Sequence, residues 1–137
     1  MNLDRFLLAQ ENMYETAKME LMNGRKETHW MWYIFPQLKG LGRSAMADYY
    51  GIQDKQEACE YAQHPILGNR LRELTDVLLA LPCHDPQKLM GFPDDLKLRS
   101  CMTLFWYITK EERFYNVLLY YFYGKADEKT IERLKGE

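Results

Sequence analysis

Residue types that suit a nucleotide-sugar ligand gather at a few places in this chain. Asp94-Asp95-Leu96-Lys97-Leu98-Arg99-Ser100 places carboxylates, cations and a hydroxyl together after a proline. His29-Trp30-Met31-Trp32-Tyr33-Ile34-Phe35-Pro36-Gln37 contributes flat rings and an amide, and Lys39-Gly40-Leu41-Gly42-Arg43-Ser44 follows it directly. A base requires an aromatic platform, phosphates require cations or helix N-termini, and ribose hydroxyls require carboxylate or amide partners. Cleavage at the anomeric carbon passes through an oxocarbenium-like state that a nearby carboxylate stabilises. Asp4 adds one more carboxylate near the start of the chain.

Each stretch also has a structural explanation. In an extended segment Trp30 and Trp32 share one face, with His29 and Met31 opposite. They form either a stacking wall with His29 at its rim or a plug in the core. Lys39 to Ser44 leads into a helix, so Gly42, Arg43 and Ser44 either help cradle an anion or make a glycine turn with a serine cap. Its spacing is not that of a phosphate loop. In the Asp94–Ser100 stretch one aspartate serves as N-cap, and Lys97 and Ser100 share a helix face. That is a ligand site or a solvated first turn. His64 before Pro65 reads as structural, and Arg70 is expected to pair with Glu73 at helical spacing.

The elements that must position these residues read as helices. Phe6, Ala9, Gln10, Met13, Ala17 and Leu21 predict a helix from about Asp4 to Asn23, capped by Gly24. Pro36 breaks any helix across residues 29–42, and a short strand at Trp30–Phe35 is possible only with a partner, for which Ile52-Gln53 is brief. Ser44 caps a short helix ended by Gly51, and Asp54 with Glu57 opens another, to about Gln63. Further helices span about Ile66 to Leu81, Pro86 to the stop at Gly91, Pro93 to about Ile108, Glu111 to Tyr123, and Asp127 to about Lys135. The expected fold is mainly α: one compact multi-helix domain over residues 1–137, with one irregular aromatic-rich segment and any β-sheet minor.

The 137 residues are 47% hydrophobic and 28% charged, a balance that suits a folded core rather than disorder. A net charge of −2 argues against general nucleic-acid binding, since no basic excess drives counterion release. Cys59, Cys83 and Cys101 are spaced for neither a zinc site nor a disulfide framework. Neighbouring residues rarely face each other usefully, so Cys83-His84 is discounted as a reactive pair. No apolar run approaches the roughly 18 residues of a membrane span, and no export signal is visible. The expected location is cytoplasmic. The residues call for no metal and no cofactor. Ten tyrosines, several on the helix of residues 111–123, suggest a groove edge or a homodimer contact.

The assembled segments resemble the bacterial domain-of-unknown-function family eighteen-ten, some of whose members are labelled calpastatin. The likeness runs through Gly24-Arg25-Lys26, His29 to Gln37, Gly40-Leu41-Gly42-Arg43-Ser44, His64-Pro65-Ile66-Leu67-Gly68, Lys97-Leu98-Arg99-Ser100 and Gly124 with Asp127 and Thr130. It implies a helical cytoplasmic protein and brings no activity. Nothing in the residues supports protease inhibition. Asp4-Arg5-Phe6-Leu7-Leu8-Ala9-Gln10 is also similar to a helix of the ADP-ribose-processing N-glycosidases related to the riboflavin-pathway hydrolase. That family has glutamate where this chain has Asp4, and a tryptophan–glycine C-terminal motif that is lacking here. The resemblance implies an ADP-ribose or NAD-derived ligand, and the residue chemistry adds Lys97 to Asp4 as the catalytic candidates. Gln10, His29, Trp30, Trp32, Gln37, Gly42, Arg43, Ser44, Asp94 and Ser100 would bind that ligand. The competing expectation is a non-enzymatic interaction or homodimerisation domain.

Overall fold

A computed structural model describes residues 3–137. The first predicted helix is two, α1 (Asp4–Glu11) and α2 (Tyr14–Met22), parted at Asn12 and Met13, which stay near helical geometry. Met13 N–H bonds back to the Gln10 carbonyl at 3.1 Å, a tighter three-residue turn. The buried stripe continues across the break, through Phe6, Gln10, Tyr14, Ala17 and Leu21. Core burial therefore governs the pair, and the interruption changes little in which face points inward.

The possible strand at Trp30–Phe35 is instead a single helical turn, α3 (Met31–Ile34). Ile34 N–H reaches the Trp30 carbonyl at 3.1 Å and Phe35 N–H reaches Met31 at 3.2 Å. The reason lies in burial: Trp30, Met31, Ile34 and Phe35 are all interior. Residues spaced by three and four share a helix face, whereas strand alternation would have turned Met31 outward. After Pro36 the chain extends, and Leu38 makes an isolated parallel bridge with Ile52. Two hydrogen bonds hold it, Ile52 N–H to the Gln37 carbonyl at 2.9 Å and Lys39 N–H to Ile52 at 2.8 Å.

The remaining helices are α4 (Ala45–Tyr50), α5 (Lys55–Gln63), α6 (Leu67–Ala80), α7 (Pro86–Met90), α8 (Asp94–Thr109), α9 (Glu112–Phe122) and α10 (Glu128–Lys135). Their starts follow the sequence signals. Ser44, Asp54, Asp85 and Asp127 each accept a hydrogen bond from a backbone N–H of the first turn. His64 does the same for α6, with Nδ1 accepting from Ile66 and Leu67 N–H at 3.1 and 3.2 Å. Its structural role stands. Arg70 differs from expectation: it lies over the Tyr14 ring and reaches Gln10, while Glu73 takes Lys18 and the Tyr14 hydroxyl.

α8 is central and packs against α5, α7, α9 and α10, burying Leu98, Cys101, Met102, Leu104 and Phe105. α6 closes the other side against α2, α5 and α9, and α3 joins α1 to α4. The architecture is the expected one, a mainly α compact domain whose irregular aromatic segment is built into the core. Among the described residues no helix is long and apolar enough to cross a membrane.

Candidate functional site

The start of α8 carries the site because its first two turns must cover both the core and a surface cleft. Leu98 goes fully inward, which leaves Lys97 and Ser100 beside the segment after α3. Pro93 occupies the N-cap position, so neither aspartate caps the helix as expected. Asp94 instead holds two lysines, Lys26 at 2.9 Å and Lys97 at 3.5 Å. The ammonium of Lys97 lies 5.3 Å from the centre of the Trp32 ring. A cation that close to an indole face is attracted by the ring's negative face.

Trp32, Gln37 and Lys97 meet at one small cavity of about 10 Å³, closed by Met31, Phe35 and Tyr50. The Trp32 indole N–H is buried and has no hydrogen-bond partner. Space of this size holds one water-sized group. Gln37 and Lys97 also line an adjoining cleft of about 300 Å³, which runs along Ser100, Arg99, Asp127 and Lys129. Three of those side chains are cations and one is a carboxylate, a balance that favours an anion. Asp127 is anchored: one carboxylate oxygen accepts from the Ser100 hydroxyl at 3.1 Å and from Thr130 N–H at 3.2 Å.

Several expected site residues lie elsewhere. Trp30 is fully buried and donates its indole N–H to Glu20 at 2.9 Å, so it is a core plug and not a wall. Burial pushes the Glu20 carboxyl up, but the Thr28 hydroxyl, the Glu27 and Thr28 N–H groups and the Trp30 indole outweigh it and hold it at about 2. Gln10 is 1% exposed and bridges the core, donating to the Tyr33 carbonyl at 2.7 Å and the Tyr61 hydroxyl at 3.0 Å. His29 and Asp4 are exposed, and neither lines the cavity or the cleft.

The anion cradle at Gly42, Arg43 and Ser44 is closed. Arg133 donates to the carbonyls of Lys39 and Gly40, both at 3.3 Å, so the loop offers its acceptors to a cation. Ser44 Oγ takes Ala47 N–H at 3.0 Å, and Arg43 points to solvent. Gly42 has a packing role: a Cβ there would sit 2.6 Å from that of Ala47 and 3.3 Å from Gln37 Nε2. It lets the loop close against the residue that does line the cleft. Asp127 and Lys129 were missed as site residues because Asp127 already had a complete explanation as a cap.

The model for the family described as "Protein of unknown function (DUF1810)" matches residues 1–134. The chain belongs to this family. No curated protein matches it. Among solved structures it is similar to the conserved hypothetical protein Rv1873 from Mycobacterium tuberculosis. The two are 43% identical with a TM-score of 0.95, over 97% of this chain and 96% of that one. DUF1810 membership therefore extends across the whole fold, including the Trp32–Lys97 cavity. The N-glycosidase resemblance rests on its residues alone.

Proposed function

We propose that this DUF1810 protein binds a small anionic, nucleotide-like ligand of the ADP-ribose or NAD class in the cleft beside Lys97. The carrying observation is that Trp32, Gln37 and Lys97, from two distant parts of the chain, line one small cavity, and that Gln37 and Lys97 also line the cleft beside it. Lys97, Arg99 and Lys129 suit the ligand's phosphates, and Gln37, Ser100 and Asp127 suit its hydroxyls. The small slot admits one group, so the body of the ligand occupies the larger cleft.

Cleavage of an N-glycosidic bond is the reaction such a ligand would undergo, and it calls for a carboxylate at the anomeric carbon. Asp4 is not on the cleft, whereas Asp127 is. The reading is therefore binding first, with hydrolysis carried by Asp127 if it occurs. Calorimetry with ADP-ribose and NAD tests the binding: wild type is expected to bind and Lys97→Met to bind at least about tenfold more weakly, as for a lost charged hydrogen bond. Absence of binding to wild type sinks the proposal. Chromatographic detection of nicotinamide released from NAD, compared between Asp127→Asn and Asp4→Asn, reads the hydrolytic step.

One observation favours a second reading, self-association. Tyr115, Leu119 and Tyr123 lie four residues apart along α9 and its end and are 37%, 41% and 92% exposed. Tyr115 and Leu119 share a helix face, and Tyr123 follows at the left-handed end of the helix.

A further inference from the structure

The Lys97 cleft does not stop at Lys129. Beside it lies a larger hollow of about 710 Å³ at the start of α10, lined also by Lys125, Glu128 and Ile131. Arg99, Asp127 and Lys129 border both spaces, which therefore adjoin. The cleft alone holds about 300 Å³, the bottom of the range that drug-sized ligands fill. A dinucleotide is larger than such a ligand and overruns it.

Two spaces meet the cleft at Arg99, and charge separates them. In the hollow before α7, Arg99 and Lys125 face two carboxylates, Asp85 and Asp95, and no positive excess is left. In the hollow at α10, Arg99, Lys125 and Lys129 face Asp127 and Glu128. Asp127 is already engaged there. One of its oxygens takes the Ser100 hydroxyl, Thr130 N–H and the Thr130 hydroxyl, and the other lies 4.0 Å from Arg99. Glu128 is exposed in the first turn of α10, where the helix dipole favours a carboxylate. Lys125 and Lys129 are exposed, and among the described residues neither forms an ion pair.

Lys97 and Arg99 supply one cation for each charge of a diphosphate. Lys125 and Lys129 exceed that need. We infer, on the reading of the Lys97 cleft as a nucleotide site, that its ligand carries a further phosphate, as the 2′-phosphorylated form of NAD, NADP, does. The diphosphate lies on Lys97 and Arg99 in the cleft, and the extra phosphate sits in the hollow between Lys125 and Lys129. Lysine suits this task, because its ammonium is a point charge that binds phosphate without a fixed planar match. The hollow sets specificity, since it includes neither Trp32 nor Gln37.

Calorimetry of the full chain with NAD and NADP tests it, in wild type, Lys125→Met and Lys135→Met. Lys125 lines the hollow and not the cleft, and Lys135 is exposed on α10 and lines neither. Wild type is expected to bind NADP about tenfold more tightly than NAD, the worth of one hydrogen bond to a charged group. Lys125→Met is expected to erase that preference and leave NAD affinity unchanged. Lys135→Met is expected to keep the preference, which separates a site from general surface charge. Equal affinities in wild type, a preference that survives Lys125→Met, or one lost equally in Lys135→Met would each overturn the inference while the Lys97 reading stands. If neither ligand binds, the Lys97 reading falls and the inference falls with it.

Discussion

Glu20 does at residue scale what the Trp30 segment needs in order to be buried at all. Its carboxylate accepts Glu27 and Thr28 N–H at 2.8 and 3.0 Å, the Thr28 hydroxyl at 2.7 Å and the Trp30 indole at 2.9 Å. Those donors hold the folded carboxyl at about 2 against an ordinary value of 4.5. A depressed folded value means stabilisation that is complete above the unfolded value and lost as pH falls toward the folded one. The pair of values corresponds to roughly 3 kcal/mol. Urea midpoints taken from pH 6 to pH 2.5 are expected to fall below about pH 4.5 in the wild type and to vary less in Glu20→Gln. An equal pH slope in both would remove Glu20 from this role. The sequence leaves the tryptophans open between wall and core and gives no local signal for Glu20. Its partners lie seven to ten residues on and meet it only once the loop folds back.

At the scale of elements, Arg5 ties α1 to α4 and α5. Its guanidinium donates to the Tyr49 carbonyl at 2.9 Å, to the Gly51 carbonyl at 3.0 Å and to the Glu57 carboxylate at 2.9 Å. The Glu57 side chain is 1% exposed. Removing one partner of a buried pair strands the other's charge, so Arg5→Met is expected to cost about 3–5 kcal/mol. Removing both, in Arg5→Met with Glu57→Met, is expected to recover part of that loss. Denaturant unfolding of the four proteins of the cycle measures the coupling, and additive losses would show that the pair is not one unit. The helix starts around these residues were legible, since Ser44, Asp54, Asp85 and Asp127 act locally as caps. The partner of Arg5 was not, because helical spacing says nothing about residues more than 40 positions away.

For the molecule as a whole, the exposed stripe of Tyr115, Leu119 and Tyr123 bears on assembly. A stable interface buries about 800 Å² on each partner, more than one helix stripe supplies, so any pair must be weak. Multi-angle light scattering is expected to give a mass that rises with concentration, and Leu119→Lys to hold the chain at the monomer mass. A monomer at every concentration would dispose of the stripe as a contact.

What the sequence determined by itself is what depends on neighbours along the chain: a helical fold, the caps that start its helices, the glycines that stop them, and membership of a recognisable family. Periodicity and capping are local physics, so one strand of text carries them. Only tertiary structure decided which polar residues meet. It drew Trp32, Gln37 and Lys97 to one cavity. It sent Trp30 and Gln10 into the core, closed the glycine loop on Arg133, and buried Asp95 while leaving its neighbour Asp94 to two lysines. Those outcomes follow from packing between distant helices, where a side chain's role is set by whatever the core leaves opposite it.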